Sequence, residues 1–249
     1  MMIDAAMRKY FDDSKLAAGE VKRDELVKYR EERNRQPGRV QDVEGRLTTG
    51  FDPIDPRRET LRGLRTELLL RRESPDRADV ITIVSPCAGE GRSLLAAELA
   101  ITFAQTGHTT LLVDADMRHP QQHMQFGLQA GSGLAQAIDN GEDPQLCTIK
   151  GLPRMSLLTA GMLPSDPLEL LSSRRFAALI DAWRDAFEVV LIDTAPMRSY
   201  SDGLAVANLT GRVLALSRAQ HTPARDMQNM LHRLSATRSQ ILGAVVNHF

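Results

Sequence analysis

The fold is decided by residues 80–100, which read VITIVSPCAGEGRSLLAAELA. Residues 80–84 form a short apolar run that predicts a buried strand, and the run from Ser93 onward predicts a helix. Between them lies a loop with two glycines, Gly89 and Gly91. Glycines let backbone N–H groups approach a phosphate, and the dipole of the following helix favours the negative charge. The stretch therefore predicts a phosphate-binding loop over residues 85–93.

The loop departs in two places from the P-loop pattern Gly-x-x-x-x-Gly-Lys-Ser/Thr. Pro86 takes the place of the first glycine, and Arg92 takes the place of the lysine. Ser93 stands where the hydroxyl that ligates Mg²⁺ belongs. A guanidinium is a wide planar fork, so it cannot occupy the space of a compact lysine ammonium beside the γ-phosphate. We expect nucleotide binding to survive this change better than catalysis.

Three aspartates stand at the ends of predicted strands. Asp114 and Asp116 follow the apolar run 110–113 on alternate positions, which point to the same side. Asp193 ends the run 189–192, as a Walker B aspartate does. The carboxyl ends of parallel strands share one edge of a sheet, so we expect these carboxylates to converge on the phosphate loop. They suit a metal ion or an attacking hydroxyl.

Helical and strand patterns alternate along the rest of the chain and predict an α/β fold, a mainly parallel sheet with helices on both faces. The predicted helices cover residues 59–72, 93–106, 168–186, 202–209 and a segment from Pro223. The predicted strands cover residues 80–84, 110–113, 189–192, 213–217 and 241–246, with a less regular middle section. We divide the chain into a helical N-terminal extension (1–35), a linker (36–56) and a three-layer nucleotide-binding domain (57–249).

Composition narrows the class of protein. The chain has 249 residues, a net charge of −1 and two cysteines, Cys87 and Cys147. No apolar run is long enough to span a bilayer and the N-terminus lacks a signal-peptide pattern, so we expect a cytoplasmic protein. The charge offers no pull towards nucleic acid, and we predict no nucleic-acid partner. Four of the five lysines lie in the first 30 residues, and arginine carries the positive charge elsewhere.

These motifs, in this order, resemble the bacterial tyrosine kinases of capsule and exopolysaccharide export, P-loop ATPases related to the Min and Par proteins. The resemblance runs from about residue 57 to residue 249. Residues 59–65 look like the family's Glu-x-x-Arg-x-x-Arg oligomerisation helix. Further similar segments are 161–164, 167–171, 200–202 and 243–247.

The resemblance implies ATP and Mg²⁺ as cofactors and assigns residues to each. Asp114 would accept the proton of an attacking hydroxyl, with Arg92 as the second catalytic residue. The nucleotide-binding residues would be Ala88, Gly89, Glu90, Gly91, Arg92, Ser93, Leu94 and Asn247, the last of these on adenine. The metal would be held by Ser93, Asp116 and Asp193. Glu59, Arg62 and Arg65 would form the interface of a homo-oligomer.

The family reading predicts an ATP-dependent tyrosine kinase-like component of a polysaccharide assembly system that controls polymerisation or chain length. Its activity would be weak or raised by a partner, a transmembrane polysaccharide copolymerase that places it at the inner face of the membrane. The apolar stripe Ile3, Met7, Tyr10 and Phe11 either docks on such a partner or packs on its own domain. The chain has no tyrosine cluster after the last strand, so the substrate would be another protein or the extension.

Two other functions stay open. The first is a nucleotide-responsive scaffold that has lost phosphoryl transfer through Arg92. The second is a Min- or Par-like positioning ATPase, although that branch uses an additional lysine early in the loop and residues 85–93 contain none. A dehydrogenase is disfavoured, because the loop lacks Gly-x-Gly-x-x-Gly.

Overall fold

Short aliphatic runs form the central sheet of the computed structural model, which describes residues 56–72, 74, 77–129 and 131–248. The strands are β1 (Asp79–Val84), β2 (Thr110–Asp114), β3 (Cys147–Ile149), β4 (Leu152–Leu158), β5 (Val189–Asp193), β6 (Arg212–Arg218) and β7 (Gln240–Asn247). Their order in the sheet is β3-β4-β2-β5-β1-β6-β7. Every neighbouring pair is parallel except β3 and β4, which are antiparallel.

Helices cover both faces of this sheet. They are α1 (Pro56–Leu70), α2 (Arg92–Gln105), α3 (Gln122–Gln125), α4 (Leu134–Asp139), α5 (Pro167–Leu171), α6 (Arg174–Ala186), α7 (Asp202–Thr210) and α8 (Ala224–Ser235). Ile81 and Leu112 pack with α1 and α2 on one face. Val80 and Leu111, one residue earlier in each strand, pack with α4, α5 and α6 on the other face. The alternation follows the two-residue period of a strand, and the structure confirms the predicted α/β class.

The carboxyl ends of three adjacent strands, β2, β5 and β1, form the edge where the site lies. Asp114 pairs in register with Asp193, and Asp193 pairs with Ile83 on the other side. The phosphate loop begins directly after β1. The sheet order therefore places the aspartates of two strands beside the loop of a third.

The middle section of the chain is more regular than its sequence indicated. It forms α3, α4, β3 and β4, and β4 extends the sheet beside β2. Pro153 and Arg154 interrupt the apolar pattern of β4 and are exposed. Residues 155–158 of β4 pair in register with β2, and a sequence pattern alone does not give that pairing.

The predicted helix over residues 168–186 is wrong as a single element, because the chain forms α5 and α6 with a break between them. The Asp166 carboxylate accepts from the Glu169 N–H and caps α5. Ser173 caps α6, its hydroxyl accepting from the Phe176 N–H at 3.2 Å. Two short helices with their own caps satisfy N–H groups that would otherwise lack a partner.

Replacing Ser173 with alanine is expected to lower the free energy of unfolding by about 1 kcal/mol, because the first turn of α6 loses its side-chain acceptor. Urea denaturation measures the change. Ser172, the exposed neighbour at the end of α5, is the matched control, and Ser172→Ala is expected to cost less than about 0.5 kcal/mol. Equal losses in the two variants would mean that the Ser173 cap does not hold α6.

Some of the sequence predictions fall on residues that the structure does not describe. They are the N-terminal extension (1–35), most of the linker (36–56), the apolar stripe in the extension, and two of the three tyrosines, Tyr10 and Tyr29. Among residues 56–72, 74, 77–129 and 131–248, no helix has the length and apolar character needed to cross a bilayer.

Candidate nucleotide-binding site

The phosphate loop joins β1 to α2 through two glycines in the left-handed region. Gly89 has φ 74° and Gly91 has φ 88°, a conformation that glycine adopts without steric cost. Gly91 is the N-cap of α2 and supplies no side chain to cap it. Ala88 and Gly89 are exposed. The first turn of α2 thus keeps backbone N–H groups for an anion at the exposed side of the loop.

Hydrogen bonds of Glu90 stabilise the conformation of the loop. Its side chain is buried and accepts from the Cys87 N–H at 2.8 Å and from the Thr222 hydroxyl. Its backbone carbonyl accepts from the side-chain amide of Asn247 at 2.9 Å. Asn247, which the family resemblance assigns to adenine, is buried and lies against the loop backbone. Three elements, the loop, the segment after β6 and the end of β7, are thereby joined.

Two arginines and a histidine lie along the outer side of the loop. Arg218 Nη1 donates to the Gly89 carbonyl at 3.1 Å, and His221 Nε2 is 3.3 Å from the Ala88 carbonyl oxygen. Arg198 pairs with Asp226 at 3.0 Å. The guanidinium of Arg218, which bonds a neutral carbonyl, adds positive charge to the surface that an anionic ligand would approach.

Arg92 turns away from this exposed surface and binds the carboxylates. Its Nε donates to Asp193 Oδ1 at 3.0 Å, and its Nη2 donates to Asp116 Oδ2 at 2.9 Å. Its Nη1 donates to the Ser85 hydroxyl at 3.0 Å. The side chain is only 8% exposed. One guanidinium thus joins residues at the ends of β1, β2 and β5, the three central strands.

Asp193 has two further partners besides Arg92. The amide of Gln122 donates to its Oδ2 at 2.9 Å and also to the Ser93 carbonyl at 2.9 Å. The Ser93 side chain hydrogen-bonds Asp193 as well. Burial raises the pKa of Asp193, while the charge of Arg92 and these two hydrogen bonds oppose the rise. The Oε1 atom of Gln122 is buried and has no hydrogen-bond partner among the described residues.

Asp114 is fully buried and faces backbone donors. It accepts from the N–H groups of Asp116, Gln121 and Gln122 at 3.2, 3.1 and 2.9 Å. Burial and the charge of Asp193 raise its pKa well above the usual range, although the backbone hydrogen bonds oppose that rise. In this arrangement Asp114 fixes the path of the chain between β2 and α3.

Arg118 forms a second, smaller assembly next to Asp116. It donates to both carboxylate oxygens of Asp202, at 2.9 and 3.2 Å. Its guanidinium also lies 4.7 Å from the ring centre of Tyr200, a cation–π contact. The ring of the half-buried Tyr200 is therefore covered by the Arg118 cation.

The three residues predicted to mediate oligomerisation lie on α1 in two different environments. Glu59 and Arg62 are exposed and pair with each other at 3.4 Å. Arg65 donates to the Thr102 carbonyl on α2 at 3.2 Å. Glu59 and Arg62 are thus accessible at the surface, whereas Arg65 helps to attach α1 to the domain.

The predicted magnesium ligands Ser93, Asp116 and Asp193 converge, but they do so around a guanidinium. In the part of the chain that the structure describes, no group of three or more His, Cys, Asp or Glu side chains is arranged to hold a metal ion. Arg92 already pairs with both Asp116 and Asp193. With Arg92 in this position the site does not fit a divalent cation.

Sequence reasoning missed Ser85 and Gln122 as members of the site. Ser85 lies within the predicted loop, but its hydroxyl became relevant only through the position of Arg92. Gln122 lies in the middle section, eight residues beyond Asp114, and no motif marks it. A signal was present only for Arg92 itself, as a replacement of the expected lysine.

No family model matches the chain. The tyrosine-protein kinase YwqD of Bacillus subtilis is 34% identical over 169 residues, 67% of this chain and 71% of that protein. The tyrosine-protein kinase ptk of Acinetobacter johnsonii is 31% identical over 191 residues, 76% of this chain. The chain spans only about a quarter of that relative's length, 26%.

Solved structures agree with these relatives. The chimerical protein CapA2B2 has a TM-score of 0.76 and 29% identity, covering 90% of this chain and 99% of that chain. The fold alone is shared with cobyrinic acid a,c-diamide synthase from Mycobacterium smegmatis, solved with an ATP analogue and magnesium. Its TM-score is 0.59 at 18% identity, covering 68% of this chain and 74% of that chain. The chain is 34% identical to YwqD and covers 71% of that protein, which shows that the chain belongs to the bacterial tyrosine kinase family.

Proposed function

We propose that the domain binds ATP at the loop 85–93 and acts as a tyrosine kinase-like phosphoryl-transfer component with low intrinsic turnover. The observation that carries the proposal is the convergence of this loop with Asp116 and Asp193 at the ends of adjacent strands. Phosphoryl transfer depends mainly on positioning and charge neutralisation. The edge supplies groups that position the loop, and Arg218 beside the loop supplies positive charge. Membership of the tyrosine kinase family supports the choice of tyrosine as the acceptor.

The residues divide into binding and positioning groups. The exposed backbone of the loop and the uncapped first turn of α2 bind the triphosphate. Glu90 and Asn247 keep the loop in its shape. Asp114 accepts three backbone hydrogen bonds, which supports a role in positioning the segment that carries Asp116 rather than in accepting a proton.

Arg92 accounts for low turnover. Its guanidinium is engaged by Asp116, Asp193 and Ser85, so it does not stand where a lysine would follow the γ-phosphate. A nucleotide-responsive scaffold is the second candidate function, and the same three contacts favour it. A Min- or Par-like positioning ATPase is less favoured, since the loop contains no lysine.

We place the protein in a capsule or exopolysaccharide assembly system, where it controls polymerisation or chain length. Its partner is a transmembrane copolymerase that holds this domain peripherally at the inner face of the membrane. The resemblance to kinases of polysaccharide export supports this assignment. The exposed Glu59 and Arg62 on α1 provide an accessible surface for a homo-oligomer.

ATP turnover and tyrosine transfer to a random glutamate–tyrosine copolymer test the proposal. The wild type is expected to bind ATP and turn it over slowly, and Asp193→Asn should lower turnover by about tenfold or more, since Asp193 anchors the site. Arg92→Lys is expected to raise turnover by about tenfold, because the ammonium can reach the phosphate. Asp185→Asn on the exposed side of α6 is the control and should change neither.

The outcomes separate the two candidate functions. Binding without turnover in the wild type, with turnover gained in Arg92→Lys, identifies the scaffold. Turnover in the wild type that persists in Asp193→Asn would contradict a role for this edge in the chemistry. Absence of ATP binding in both wild type and Arg92→Lys would overturn the proposal.

A further inference from the structure

We infer that Arg92 is a built-in replacement for the divalent cation, so that this site takes a nucleoside triphosphate without metal. The inference rests on the proposed function for its nucleotide and on the observed ion pairs for its cation. The guanidinium stands between the two carboxylates that would otherwise hold a metal ion through water. It therefore competes directly with any divalent cation for Asp116 and Asp193.

The hydrogen-bond geometry of Arg92 indicates that its guanidinium is stably bound between the carboxylates, and that the contact is not transient. Its Nε, Nη1 and Nη2 atoms each donate a hydrogen bond of 2.9–3.0 Å to a different residue. Asp193 is completely buried and Asp116 nearly so, with side-chain exposures of 0% and 3%. Buried carboxylates need a counter-charge, and a planar fork can satisfy two of them at once.

Tethering gives Arg92 an advantage over an ion from solution. The side chain is attached to the first residue of α2, so its effective concentration at the carboxylates is high and does not depend on the medium. Arginine also stays protonated at any physiological pH. A divalent cation would have to break three hydrogen bonds and pull its ligands away from a charge that cannot diffuse away.

The other polar groups of the site also form hydrogen bonds that leave no carboxylate oxygen of Asp116 or Asp193 unused. Gln122 binds Asp193 Oδ2, the oxygen that Arg92 does not use. Ser93 also bonds to Asp193 rather than standing free for a metal. Asp116 Oδ1 accepts from the N–H groups of Arg118 and His119, at 3.2 and 2.9 Å. Both aspartates thus use both oxygens within the protein.

The first experiment measures thermal unfolding of the nucleotide-free protein with 10 mM Mg²⁺ or Mn²⁺ against EDTA at matched ionic strength. The wild type is expected to shift by less than about 1 °C, because Arg92 keeps the cations out. Arg92→Ala, which frees both aspartates, should gain about 3 °C or more. Arg212→Ala is the matched control. Arg212 is an equally buried arginine, paired with Asp79 at the opposite end of the sheet at 2.9 Å, and its loss should create no metal response.

The second experiment measures ATP affinity by calorimetry in EDTA and in Mg²⁺. For the wild type we expect dissociation constants within about twofold of each other. Arg92→Lys keeps the positive charge and the fold but frees the carboxylates for a metal, so its affinity should rise about tenfold or more with Mg²⁺. Arg212→Lys should behave as the wild type does.

Each outcome decides the inference. A tenfold gain in wild-type ATP affinity on adding Mg²⁺, or a wild-type thermal shift equal to that of Arg92→Ala, would overturn it. If ATP binds in neither medium, the proposed nucleotide function fails, and the thermal shifts alone still decide whether Arg92 replaces the metal. If Arg92→Ala does not fold, the Arg92→Lys affinities and the wild-type shift decide it.

Discussion

Arg92→Ala is expected to lower the free energy of unfolding by about 3–5 kcal/mol at neutral pH in EDTA, as measured by urea denaturation. The substitution removes the cation that pairs with both Asp116 and Asp193 and leaves two buried carboxylates without a counter-charge. The Ser85 hydroxyl oxygen also loses the hydrogen bond that Arg92 Nη1 donates to it. Losses of this size come from uncompensated buried charge, whereas removal of an exposed ion pair costs little.

Arg198→Ala provides the control for this loss. Arg198 also pairs with an aspartate beside the phosphate loop, Asp226, but its side chain is 64% exposed. Water can solvate Asp226 when the guanidinium is removed, so the urea midpoint should stay near that of the wild type. An equally small change for Arg92→Ala would mean that the buried ion pairs do not form in solution.

The parallel sheet was predictable because its three central strands are buried on both faces. Such strands read as continuous apolar runs, and β1, β2 and β5 all do. Their carboxyl ends share an edge by topology, so the nearness of Asp114, Asp116 and Asp193 followed from the sequence without side-chain detail. The strand order and the antiparallel β3 did not follow, because they depend on which edges find partners in three dimensions.

The orientation of the Arg92 side chain could not be predicted from the sequence. The motif gave its position in the chain, which suggested a group directed at phosphate. The direction of a long side chain is set by what else is charged within its reach, and two buried carboxylates lie within that reach. Gln122 was missed for a similar reason, since its role depends on the fold of the segment after Asp114.

The middle section was the least predictable, because its order depends on close backbone packing rather than on apolar periodicity. Gly133 and Gly161 meet at the start of α4, where a Cβ on either would lie within 3 Å of the other's backbone. The Gln136 side chain accepts from the Gly133 N–H and the Met162 N–H, both at 3.1 Å. These contacts fix the loop after β4 at the same edge of the sheet as the aspartates.

Gly133→Ala is expected to lower the free energy of unfolding by about 3 kcal/mol, as measured by urea denaturation, through overpacking against backbone that has no room to move. A Cβ at Gly133 would lie 2.3 Å from the Thr159 carbonyl oxygen and 2.5 Å from the Gly161 nitrogen. The loop after β4 would have to shift, and with it the Gln136 hydrogen bonds.

Gly131→Ala, two residues earlier, is the control, because a Cβ at Gly131 meets nothing within 4 Å. Its effect should stay within about 1 kcal/mol in either direction, because only the entropy of the unfolded chain changes. Similar stabilities for the two variants would show that the Gly133–Gly161 contact is not what orders this edge of the sheet.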